Sequence, residues 1–140
     1  MIRSTLAATA LVLASATAAT APAAAADSIG CTAEYKITNT WPSSTRDGVT
    51  LGQVTVRNSG SSAIHGWRVT WRYTDGSSVL DVWGAVPLPV VGPVGTYAYG
   101  NEKYNGDLAP NGATVFGFAA RIPLSPVAIS PSPVTCTPVA

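Results

Sequence analysis

The chain predicts an all-β protein, an antiparallel β-sandwich of jelly-roll or immunoglobulin-like type with about seven to nine short strands. Three observations carry this expectation. Between Gly66 and Tyr73, Trp67, Val69, Trp71 and Tyr73 alternate strictly with Arg68, Thr70 and Arg72, the period-two pattern of a half-buried antiparallel strand. Short apolar runs are separated throughout by turn-forming clusters such as Asn58-Ser59-Gly60-Ser61-Ser62 and Asp75-Gly76-Ser77-Ser78, which break helices and end strands. No stretch beyond the first 26 residues joins helical periodicity to capping residues.

The elements follow in order. Met1-Ile2-Arg3, the Ala- and Leu-rich Leu6 to Ala19 and the small residues Ala23 to Ala26 read as an export signal over residues 1–26. The mature product is then one domain over residues 27–140, secreted to the extracellular space. Cys31 to Asn39 places Ala33, Tyr35 and Ile37 on one face. Val49 to Val56 forms the next strand, and Gly66 to Tyr73 the most regular one. In Val79 to Trp83, Leu80 and Val82 form the better candidate for the buried face, opposite Val79, Asp81 and Trp83. Pro87, Pro89 and Pro93 confine Val86 to Val94 to an edge or a loop, because proline cannot donate to a ladder. Tyr97 to Tyr99 is a short strand, Ala113 to Ile122 a strong one, and Val134 to Cys136 the last.

Charge excludes several function classes. The chain has eight basic and seven acidic residues, and Arg3 belongs to the leader, so the mature domain is formally neutral. Nucleic acid and anionic membranes are recognised by clustered Lys and Arg, and neither is an expected partner. Cys31 and Cys136, near the two mature ends, are expected to pair after export. A bridge closing a loop of that size contributes about 4–5 kcal/mol on the chain-entropy model. His65 is the only histidine, so a metal site has few possible ligands, and no metal, cofactor or catalytic residue is expected. A glycosidase needs two carboxyls across a cleft, and Glu34, Asp81, Glu102 and Asp107 are the only acids near notable aromatics.

The aromatic residues divide into two sets. Trp67 and Trp71 share the apolar face of the regular strand and read as core, with Tyr35 beside them. Trp41 precedes Pro42-Ser43-Ser44, and Trp83 precedes Gly84, each at a strand end beside a loop. Such a ring either caps the core edge or presents a flat apolar face to a ligand. Tyr104 lies in the polar loop Asn101 to Gly106 and is either a loop anchor or a contact surface. In a neutral, exported chain, the ligand that suits exposed rings is a sugar face. A secreted protein-interaction sandwich using the same patch as a hot spot is the alternative.

These residues, taken in order, resemble family 2 carbohydrate-binding modules. The resemblance runs through Cys31, Trp41, Val54 to Asn58, Gly66 to Trp71, Trp83, Asn101 to Gly106, Leu108 to Gly112, Phe116-Gly117-Phe118 and Cys136, essentially the whole mature chain. It implies a non-catalytic β-sandwich, expected here as a monomer, that binds an insoluble β-linked polysaccharide, cellulose first, with chitin or xylan as further candidates. It also implies that Trp41, Trp83 and Tyr104 are the exposed binding aromatics and Trp67 is core. The polar positions beside the rings match Asn39, Gln53 and Asp81, and Asn101 and Asn105 are further candidates for bonding sugar hydroxyls. This chain departs from the family in having Tyr104 where a tryptophan is usual, a longer segment between Trp41 and Val54, and Val115 and Ala119 at two otherwise polar positions.

Overall fold

The computed structural model describes residues 12–17, 26–124 and 128–140. Most of the expected leader, and residues 125–127, lie outside them. Eight strands form in chain order: β1 Cys31–Trp41, β2 Gly48–Asn58, β3 Gly66–Arg72, β4 Ser78–Trp83, β5 Ala85–Pro87, β6 Thr96–Asn101, β7 Ala113–Ile122 and β8 Thr135–Val139. No helix occurs among the described residues. Two four-stranded antiparallel sheets, β1-β2-β7-β4 and β5-β6-β3-β8, face each other. This is the predicted sandwich.

The core is the space between the sheets. Val54, Val56, Phe116, Phe118 and Ala120 enter it from the first sheet, and Trp67, Val69, Trp71 and Tyr99 from the second. Trp67 stacks on Phe116 with ring centroids 5.4 Å apart and planes 7° from parallel. Tyr35 meets Trp71 edge to face at 5.5 Å. Such pairs add about 0.5–1.5 kcal/mol each beyond burial of their area. The Tyr35 and Tyr73 hydroxyls share a hydrogen bond of 2.7 Å. Burial pushes Tyr73 up to about 12 and Tyr35 further in the same direction, so both phenols stay neutral wherever secreted proteins work.

The sandwich is closed at both edges. At one, Cys31 on β1 and Cys136 on β8 form the expected disulfide, joining the outer strands of opposite sheets. At the other, the chain itself crosses from β4 to β5 through Gly84, whose φ of +84° a residue with a Cβ adopts only with strain. The proline-rich segment behaves as expected, with a three-residue edge strand followed by a loop. Arg68 donates to the Pro89 carbonyl and Arg72 to that of Val94, strapping this loop over the outer face of the second sheet.

Two bulges interrupt the alternation, and both lie in edge strands of the first sheet. In β1 the register shifts between Ile37 and Asn39. Ile37 opposes Gly52 on the inner face, whereas Asn39 opposes Leu51 and Trp41 opposes Val49 on the outer face. Uninterrupted alternation from Tyr35 and Ile37 would turn Trp41 into the core. In β4 the shift falls between Val79 and Asp81. Val79 and Val82 pack against the core and Leu80 is 57% exposed. The expectation that Leu80 and Val82 share the buried face is therefore corrected: the extra residue breaks the parity, and Val79 takes the inner place. We expect Leu80→Ser to change stability by less than about 0.5 kcal/mol and Val82→Ser to cost about 1–3 kcal/mol in urea unfolding. The opposite order would deny the bulge.

Candidate functional site

The candidate site is the outer face of the β1-β2-β7-β4 sheet. Register alone places its residues. One row across the strands holds Trp41, Val49, Arg121 and Ser78; the next holds Asn39, Leu51, Ala119 and Asp81; the next holds Lys36, Gln53, Gly117 and Trp83. Trp41 and Trp83 thus stand on opposite edge strands of one sheet face, 51% and 50% exposed. They are separated by three strand spacings, about 14 Å, and by four residues along β7, again about 14 Å, so about 20 Å on a flat sheet. Small side chains at Gly117 and Ala119 keep the ground between them low. The expected polar positions Asn39, Gln53 and Asp81 lie on this face, as do Val115 and Ala119, where the family pattern is polar.

Trp41 is followed by a loop that carries its own hydrogen bonds. The longer segment after it does not shield it. Ser43 Oγ accepts from the backbone N–H groups of Thr45 and Arg46, turning the loop tightly. Asp47 pairs with Arg121, whose guanidinium also donates to Ser78 Oγ and the Gly76 carbonyl. The arginine on β7 thereby ties both neighbouring loops down at that end of the face. Asn39 Oδ1 accepts from the N–H of Thr40, and Asp81 Oδ1 from that of Val82. Each keeps further hydrogen-bonding capacity toward solvent.

Tyr104 comes from a different element. It lies in the turn after β6, is 78% exposed, and its hydroxyl reaches to within 3.4 Å of where a Cβ on Gly84 would sit. It therefore stands beside Gly84, the residue that follows Trp83. Asn101 and Asn105 explain how. Asn105 is 7% exposed. Its side chain donates to the Gly84 carbonyl at 2.7 Å and accepts from Glu102 N–H at 2.8 Å. Its carbonyl accepts from Trp67 Nε1 at 3.0 Å. Asn101 accepts from Trp67 N–H and donates to the Glu102 carbonyl. Each side-chain amide accepts one bond and donates one within the protein. They fix the Tyr104 loop to the core and to Gly84. Sequence offered no signal for this, since an amide in a polar loop suits either role.

His65 Nδ1 pairs with Asp107 Oδ1 at 2.9 Å, both exposed, beside the far end of the same loop. Among the described residues no group of three or more His, Cys, Asp or Glu is placed to hold a metal.

A rigid sandwich that presents rings on a sheet face defines a module that docks on a surface. Comparison with known proteins gives the family. Residues 31–137 match the CBM_2 model, described as "Cellulose binding domain", and the protein belongs to that family, a family of non-catalytic carbohydrate-binding modules. The chain is 38% identical over 88 residues to Endoglucanase A of Thermobispora bispora, covering 63% of this chain and 18% of that protein. It is 36% identical over 105 residues to Chitinase 63 of Streptomyces plicatus, covering 75% of this chain and 16% of that protein. The chain thus spans less than a fifth of the length of these two relatives. The solved chitin-binding domain of Chi18aC from Streptomyces coelicolor superposes with a TM-score of 0.54 at 27% identity, covering 76% of this chain and 89% of that one. The family 2 domain of ScLPMO10C, at 24% identity over 79% and 98% of the two chains and a TM-score of 0.55, shares the fold.

Trp67 and Trp71 are equally buried, but the Trp71 Nε1 has no hydrogen-bond partner among the described residues. Replacing either by Phe leaves a cavity, and only Trp67→Phe also strands the Asn105 carbonyl. We expect Trp67→Phe to cost about 1–3 kcal/mol more than Trp71→Phe in denaturant unfolding. Faster amide exchange at Glu102 to Gly106 should accompany the first variant alone.

Proposed function

We propose that the protein binds an insoluble β-1,4-linked polysaccharide, cellulose first, by stacking sugar faces on Trp41, Trp83 and Tyr104. The observation that supports this most is that two half-exposed tryptophans share one outer sheet face, each put there by a bulge. A β-glucan chain shows axial C–H groups on its ring faces, and an indole face is apolar with a negative quadrupole, so the two pack and release water. Each stack supplies about 0.5–1.5 kcal/mol beyond the area it buries, by analogy with aromatic pairs. The separation of about 20 Å calls for a polymer several sugars long. An ordered crystalline chain loses little freedom on docking, and Asn39, Gln53 and Asp81 are placed to bond hydroxyls along its edge. Chitin, with the same linkage and ring faces, is the second reading, favoured by the chitin-binding domain among the solved relatives.

The disulfide and the apolar N-terminal segment support secretion into an oxidising, extracellular setting. There the module would bind on its own or as part of a degradative system.

Depletion from solution by microcrystalline cellulose, chitin and insoluble xylan tests the reading. The native protein should partition onto cellulose. Trp83→Ala should weaken that partition about tenfold, the equivalent of one stack, with an unchanged melting temperature. Binding to none of the three solids would contradict the reading. Tight binding that survives loss of both Trp41 and Trp83 would move the site elsewhere.

A further inference from the structure

We propose that Gly117 is the positioning residue for Trp83, a role that rests on the polysaccharide-binding reading of that ring. Gly117 sits in the middle of β7, opposite Trp83 on one side and Gln53 on the other. It is on the outer face, yet it is buried. The cover is the indole: a Cβ on Gly117 would collide with Trp83 Nε1 and Cε2 and come within 2.6 Å of Cζ2. The ring is therefore directed inward over β7 rather than off the edge of the sheet.

The backbone gives no other reason for glycine. Positive φ angles occur at Gly76, Gly84 and Gly95, while Gly117 is extended like its neighbours. Glycine inside a strand costs about 0.5–1 kcal/mol relative to alanine. The residues two places away on the same face, Val115 and Ala119, carry side chains. What distinguishes position 117 is the ring lying over it. A single methyl there removes the floor on which the indole rests. The methyl points away from the core, so the sandwich itself is untouched. Trp83 must then rotate upward or outward, and its free face no longer lies along the sheet.

A double-mutant cycle tests this. Gly117→Ala should weaken binding to microcrystalline cellulose about tenfold, as Trp83→Ala does, with a melting temperature at or above that of the native protein. Gly117→Ala combined with Trp83→Ala should bind no more weakly than Trp83→Ala alone, because the methyl acts only through the ring. In ¹H–¹⁵N spectra without ligand, Gly117→Ala should move the Trp83 indole resonance and leave that of Trp41 in place. An unmoved Trp83 resonance, native binding by Gly117→Ala, or additive losses in the double variant would each overturn the proposal. Native binding by Trp83→Ala would instead remove the function assigned to the ring, whatever its resonance does. If Gly117→Ala failed to fold while the double variant folded, the collision with the indole would stand demonstrated; failure of both would overturn the proposal, since the methyl would then act on the fold itself.

Discussion

Trp67 joins the interior of this protein to the edge where the Tyr104 loop meets Gly84. Its ring stacks on Phe116 across the two sheets, and its indole N–H and backbone N–H hold the carbonyl of Asn105 and the amide of Asn101. Asn105 in turn grips Gly84, where the chain crosses between sheets. One side chain thus fixes the sheet separation, the loop that carries Tyr104, and the hinge beside Trp83. Stacking supplies the adhesion and the hydrogen bonds supply the aim. A binding surface made of rings requires this, because a ring that turns freely loses rotational entropy on docking.

The same economy recurs at the sheet surface. An edge strand is exposed on one side and tolerates an extra residue, and β1 and β4 each use one to set which face their last tryptophan meets. The central strands β2 and β7 stay regular, and on β7 only Ala119 stands on the outer face between the row of Trp83 and the row of Trp41. The edges are secured against slippage by the disulfide at one end of the sandwich and the Gly84 crossover at the other. Arg121 ties the loop between β1 and β2 through Asp47 and the loop before β4 through Ser78 and Gly76. The proposed site is thus assembled in the folded state.

The alternation of Trp67, Val69 and Trp71 made the sandwich and its core legible, and the paired cysteines made its closure legible. Prolines at 87, 89 and 93 marked an edge or a loop, and the structure places a short edge strand and a strapped loop there. The two bulges were not legible. An inserted residue has no characteristic side chain, so Leu80 read as core while Val79 in fact takes that place. Asn101 and Asn105 were legible as important but not as to purpose. Gly117 stood in plain view between two phenylalanines, but its meaning depends on a ring brought from another strand, which only register reveals.

The central claim is that the two edge-strand indoles, and not the two core indoles, meet the sugar. Titration of the ¹⁵N-labelled protein with a soluble cello-oligosaccharide, followed at the four indole N–H resonances, measures this directly. The Trp41 and Trp83 signals should shift in a saturable way while those of Trp67 and Trp71 stay fixed. Shifts confined to Trp67 and Trp71, or no saturable shift at Trp41 and Trp83, would contradict the account.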